Sequence, residues 1–207
     1  MKRKVVLAFL LTGALVLSGC SKTNNSNETS SGSTSTDSSA QGIDVSNMFS
    51  DRDKEIGYDE ENSTVIKVSD DSTTCDSDAV QISGNTVTII DEGTYILSGT
   101  LTDGMVIVDA EDTDKVQLVL DGVDITSAES AAIYVREADK VFITTASDSQ
   151  NTLTNGGTYT AIDDNNIDAA IFSKSDLTLN GAGSLTITAK AGHGVVSVSY
   201  THLTLPT

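Results

Sequence analysis

The chain has 207 residues, 38 % of them hydrophobic, and sets 12 basic residues against 30 acidic ones, a formal net charge of −18. An excess of that sign excludes nucleic acid and anionic lipid headgroups as partners, and it opposes direct contact with an anionic polysaccharide unless a cation bridges the two. Two cysteines are too few for a disulfide framework, since the first has another use.

Lys2, Arg3 and Lys4 precede an apolar run from Val5 to Leu17, too short to cross a ~30 Å hydrocarbon core but suited to the h-region of an export signal. The run ends in Leu17-Ser18-Gly19-Cys20, small residues that let a peptidase cut before a cysteine whose thiol takes the lipid. This resembles the lipobox of bacterial lipoproteins. Residues 1–19 are therefore expected to be a signal peptide and Cys20 the lipidation site. The rest is expected to be extracytoplasmic, lipid-anchored to the bacterial membrane at the cell surface. Losing Lys2, Arg3 and Lys4 takes the twelve basic residues to nine against thirty acidic, a net charge of −21. Residues 20–42, nearly all Ser, Thr, Asn and Gly after the cysteine, bury too little apolar surface to fold and read as a disordered tether. Cys75 is left without a partner and reads as a small, half-buried residue.

From Thr64 onward the chain reads as short strands bounded by Asp, Gly and Asn: 86–90, 94–98, 106–108, 116–120, 132–135, 141–145, 171–173, 177–179 and 185–188. No 3.6-residue period competes with them. The strands also recur. Asp114-Lys115-Val116 returns 25 residues later as Asp139-Lys140-Val141, and Ala132-Ile133-Tyr134 returns 38 later as Ala170-Ile171-Phe172. A period near 25, with one insertion of about 13 residues, predicts a solenoid whose neighbouring coils bury one another's apolar faces. The predicted fold is all-β, a parallel β-helix; a β-sandwich is the alternative, because its strands share that spacing.

Several stretches carry a family resemblance: Asp44-Val-Ser-Asn-Met-Phe-Ser-Asp-Arg-Asp53, Glu92-Gly-Thr-Tyr-Ile-Leu-Ser-Gly-Thr-Leu101, Val116-Gln-Leu-Val-Leu-Asp-Gly-Val-Asp-Ile125, Ala161-Ile-Asp-Asp-Asn-Asn-Ile-Asp168 and Phe172-Ser-Lys-Ser-Asp-Leu-Thr-Leu-Asn-Gly181. They resemble the carbohydrate-binding domain-containing lipoproteins of gut and cellulolytic bacteria, from Ile43 to about Val196. The resemblance implies a right-handed parallel β-helix over 43–196, related in shape to pectate lyases. It also implies non-catalytic binding of plant cell-wall polysaccharide, acidic pectin-type chains in particular, with calcium in the fold.

Past Val196 the chain departs from that pattern. Val198-Ser-Tyr-Thr-His-Leu203 resembles the translated transposon end used in sequencing-library preparation, so 197–207 is expected to be non-native and the natural reading frame longer. Unrelated codons at that place in an independent clone would overturn this.

The densest polar cluster is 163–168. Asp163, Asp164, Asn166 and Asp168 are the candidate calcium ligands, because alternate carboxylate and amide oxygens suit a hard cation. Ala169 and Ser175 stand where an EF-hand needs Gly and Glu, so the pattern is an irregular loop or else a turn that favours Asn and Asp for their backbone bonding. Asp121-Gly122 reads first as a turn. Tyr159, in the insertion, is the candidate stacking platform for a sugar, while Tyr134, Phe142 and Phe172 read as core. No catalytic residue is assigned. Arg136, beside Glu137, reads as an exposed ion pair, His193 has no second histidine to share a metal outside the expected non-native tail, where His202 lies, and no triad, metalloprotease helix or phosphate loop occurs. The reading is a tethered, calcium-associated, non-catalytic polysaccharide binder. A structural adhesin or surface spacer competes with it, and a polysaccharide lyase stands behind both.

Overall fold

The computed structural model describes residues 49–199 and 201–203. The signal peptide, Cys20 and the tether lie outside the described residues. The described residues belong to one compact unit, Ile43–Thr207. A single helical turn α1 (Asp51–Lys54) precedes the strands β1 (Thr64–Ser69), β2 (Val80–Ser83), β3 (Thr86–Ile89), β4 (Gly93–Leu101), β5 (Met105–Asp109), β6 (Lys115–Ser127) and β7 (Ile133–Glu137). They continue as β8 (Lys140–Thr145), β9 (Gln150–Asn155), β10 (Ala169–Ser173), β11 (Asp176–Gly181), β12 (Ser184–Ala189), β13 (His193–Ser197) and β14 (Thr201–Leu203).

The chain alternates between two sheets. The larger has eight strands in the order β1-β4-β6-β8-β11-β14, with β9 and β12 branching from β6, and the smaller has six in the order β13-β10-β7-β5-β3-β2. All these pairs are parallel except β2 with β3. The repeats seen in the sequence are cross-strand register. Lys115 lies beside Lys140 and Val116 beside Val141, while Tyr134 lies beside Phe172.

The predicted right-handed parallel β-helix is corrected by this topology. The strands form two sheets with no closed barrel, so the two-sheet alternative is the one that fits, with parallel pairs where a conventional sandwich has antiparallel ones. A constant register between parallel neighbours arises whenever a chain alternates between two sheets, and it cannot by itself specify a uniform coil. β6 breaks the count outright: it runs for 13 residues and pairs with both β8 and β9. Gly122, at a φ of +74°, lets the strand continue through the place where Asp121-Gly122 reads as a turn.

The two inner faces make one core. Tyr95, Leu97, Leu118, Leu120 and Ile143 point in from the larger sheet, and Val87, Ile89, Val108, Ile133 and Ile171 from the smaller. Each outer face is partly covered too, which explains strands apolar on both sides. The insertion after β9 lays Ile167 on Met105, Ile107, Tyr134 and Phe172. The segment after α1 lays Tyr58 on Ile96, Val119 and Ala146. β9 escaped the sequence reading because it is rich in Asn and Thr. Its Asn151 accepts the N–H groups of Gly122 and Val123 at 3.0 Å and donates to Ser184 O at 3.0 Å, stitching successive strands at a corner.

Candidate functional site

The N-terminal segment is held across the outer face of the larger sheet by a chain of polar contacts. Ser50 caps α1: its side chain accepts the Asp53 N–H, and the Asp53 carboxylate accepts the Ser50 N–H at 2.9 Å. This capping box fixes one turn and lets Arg52 and Asp53 reach the sheet. Asp53 is 1 % exposed and takes the Lys140 ammonium at 2.5 Å and the Thr178 hydroxyl at 2.6 Å. Burial pushes its carboxyl up, but Lys140, Ser50 and Thr178 outweigh that and hold it well below the usual carboxylate value. Asn180 donates to the Asp53 and Glu55 carbonyls, each at 3.1 Å, and Gln117 donates to Gly57 O at 3.4 Å. Beneath them Gln117, Thr144 and Asn180 bond in a row, at 3.0 and 2.7 Å. The Arg52 guanidinium lies over the Phe142 ring, 4.4 Å from its centroid, and donates to Gln117 Oε1 at 2.9 Å.

Two clefts flank this strap. One, of about 470 Å³, is lined by Tyr58, Glu60, Asp121 and Ser147 among others. Tyr58 is half-buried, and burial, then the charges of Glu60 and Asp121, push its phenol above the ordinary value. It therefore stays a neutral donor at physiological pH, with its ring backed by aliphatic side chains and two exposed carboxylates on the rim. A cleft with an aromatic wall and hydroxyl-bonding groups around it has the composition of a small-ligand site. The other, of about 370 Å³, is lined by Arg52, Glu92, Lys115, Gln117 and Phe142 among others.

The residues expected to bind calcium are not gathered into a ligand set. The Asp163 carboxylate accepts from the Tyr134 hydroxyl at 2.7 Å, Arg136 Nε at 3.2 Å and Asn165 Nδ2 at 2.8 Å. Burial pushes the Asp163 carboxyl up, but these donors hold it down at about 2. Burial and the bond to Asp163 push the Tyr134 phenol up to about 12. Asp164 and Asn166 are exposed, and the Asp168 carbonyl accepts His193 N–H at 2.8 Å. Among the described residues no three His, Cys, Asp or Glu side chains converge on a point where an ion could sit. With Asp163 committed to a guanidinium, this donor set does not fit calcium. Tyr159 is likewise committed, its hydroxyl donating to Ala191 O at 2.8 Å and accepting from Asn155. Arg136 pairs with Asp109 at 2.8 Å and Asp163 rather than with its neighbour Glu137.

A family model for carbohydrate-binding domain-containing proteins matches residues 83–204. The chain belongs to that family. A curated relative, a carbohydrate-binding domain-containing protein of Acetivibrio thermocellus, is 40 % identical over 120 residues, 57 % of this chain and 42 % of that one. A solved structure described as the polysaccharide lyase-like protein from C. thermocellum, gadolinium derivative, superposes with a TM-score of 0.64 at 36 % identity, covering 69 % of this chain and 58 % of that one. The chain thus spans less than half the length of the curated relative it matches. The sheet face under the strap falls within the matched family span, whereas the strap, at 49–60, precedes it. Sequence reasoning missed Tyr58, Arg52 and Asp53 as site residues. The Ser50-x-x-Asp53 capping signature was there to be read, but nothing local told which sheet the turn would dock on.

Proposed function

We propose that this chain binds polysaccharide without cleaving it, through the cleft beside Tyr58. The observation that carries the reading is the Tyr58 ring, backed by Ile96, Val119 and Ala146 and bordered by the exposed carboxylates of Glu60 and Asp121. A ring of that kind offers its face to the axial C–H groups of a sugar, and the carboxylates accept its hydroxyls. Membership of the carbohydrate-binding domain family supports it, as does the likeness to a polysaccharide lyase-like protein. The finer parts of the reading are a plant cell-wall glycan of acidic, pectin type and a cell-surface position through lipid on Cys20. Calcium belongs to it as a counter-ion between an acidic glycan and a protein of net charge −18, not as a ligand of the 163–168 turn.

Affinity electrophoresis of the full chain in gels holding neutral or acidic plant polysaccharides, with calcium and then with chelator, tests the reading. Retardation is expected, and Tyr58→Ala should weaken it about tenfold, with Asp121→Asn as a variant that leaves the packing of Tyr58 intact. Indifference to every glycan would favour the adhesin or spacer instead. Release of unsaturated, ultraviolet-absorbing product would make the protein a lyase. Labelling with a fatty-acid analogue, lost in Cys20→Ala, tests the anchor.

A further inference from the structure

At the β1 edge of the larger sheet an antiparallel ladder starts and stops. The Lys67 N–H donates to Thr74 O and the Thr74 N–H to Lys67 O, each at 3.0 Å, so the segment after β1 folds back along it. One step further the same register would pair Val65 with Asp76. That rung is missing: the Lys67–Thr74 bridge stands isolated, and a cavity of about 510 Å³ opens beside it, lined by Thr64, Val65, Lys67, Cys75 and Asp76 among others. Residues two apart in a strand turn their backbone groups to the same edge, so the Val65 N–H and C=O face this slot as those of Lys67 face Thr74. Among the described residues no strand pairs with them there. Unpaired groups on an open edge are a template for a further strand. We propose that the slot takes an extended, basic polypeptide segment, which pairs with the first half of β1.

Side chains and charge define the occupant. Val65 is 46 % exposed and lies in register with Ile96, which Tyr58 covers. An apolar side chain laid beside Val65 would extend that outer-face row by one strand. Lys67 is the one cation in the lining, against Asp76, and Glu61, Asp70, Asp71 and Asp78 flank the lining residues along the chain. None of these five carboxylates forms an ion pair among the described residues. Asp70 accepts from the Thr102 N–H and hydroxyl, which steadies its charge without cancelling it. The field at the slot therefore draws a basic strand and repels an acidic one, a second copy of this chain included. Lysine alternating with an apolar residue meets both demands, because successive side chains of a strand take opposite faces. The proposal does not depend on the carbohydrate reading, whose cleft lies at Tyr58.

The test is calorimetric titration of the full chain with a capped peptide of alternating lysine and valine. Two controls accompany it: the same peptide N-methylated at every backbone amide, which keeps the charge, and a version with glutamate for lysine. The parent peptide is expected to bind, and both controls to bind about tenfold more weakly or worse. Val65→Pro removes an N–H that faces the slot and none that faces β4, and should cost a similar factor. Asp76→Lys, an exposed change that leaves the ladder alone, should also weaken the parent peptide. The Cys75 thiol lines the slot, so its alkylation by iodoacetamide, followed by mass spectrometry of its own proteolytic fragment, should slow as the peptide saturates. Equal affinity for the N-methylated peptide would reduce the effect to bare charge attraction and overturn the proposal. Binding that leaves Cys75 alkylation unchanged would overturn it too. So would slower alkylation on raising the protein concentration alone, which would give the slot to a second copy.

Discussion

Asp53 shows how one carboxylate can tie two distant parts of a chain. It lies 125 residues from Thr178, yet its oxygens join the capping turn to β8 and β11. Because its folded carboxyl titrates below the ordinary value of 3.8, it adds stability that is present above pH 4 and is lost as pH falls below that. Asp53→Asn should therefore cost about 3 kcal/mol at pH 7, by leaving Lys140 without its counter-charge, and should flatten the loss of stability between about pH 4 and pH 2. Urea melts of both proteins across that range measure it; parallel pH profiles would mean that Asp53 carries no such linkage. Asp163 obeys the same sign: burial pushes it up, but Tyr134, Asn165 and Arg136 hold it down at about 2. Its local Asp-Asp-Asn-Asn context is legible as a cation loop, but the guanidinium that occupies it arrives from a strand 27 residues away.

At the level of elements, the insertion after β9 and the strap before β1 do the same work on opposite sheets. Each lays one apolar side chain, Ile167 or Tyr58, on an outer face that strand alternation alone would leave to water. The insertion leaves β9 through Gly156, where an added Cβ would stand 1.6 Å from the Ala128 carbonyl oxygen, a backbone atom that cannot step aside. Gly156→Ala should cost about 2 to 3 kcal/mol and expose the Ile167 cover to proteolysis before the rest of the fold. A melting curve and a cleavage time course like those of the unaltered protein would show that the close approach is not needed. Strand positions were mostly legible beforehand, because alternation of β-branched residues is a local signal. β9 was not, since its asparagines serve corner hydrogen bonds that only the neighbouring strands supply.

For the molecule as a whole, the acidic excess acts through the field of the entire chain. A net charge of −18 repels itself, and screening lengths fall from roughly 30 Å at 0.01 M salt to roughly 8 Å at 0.15 M. The melting temperature is accordingly expected to rise by a few degrees between those conditions. A fall would mean that ion pairs such as Arg136–Asp109 and Lys115–Asp139 outweigh the repulsion.

The sequence by itself determined the all-β class, the family, most strand positions and the cross-strand register, because all of these are written in local alternation and in repeats at fixed spacing. Tertiary structure alone decided that the strands sort into two sheets, that Asp163 meets a guanidinium, and that Arg52 and Tyr58 bound clefts on the larger sheet. The physical reason is common to these cases. A buried polar group must find its partner wherever folding places one, and contacts spanning 27, 65 or 125 residues leave no trace in the pattern of either segment.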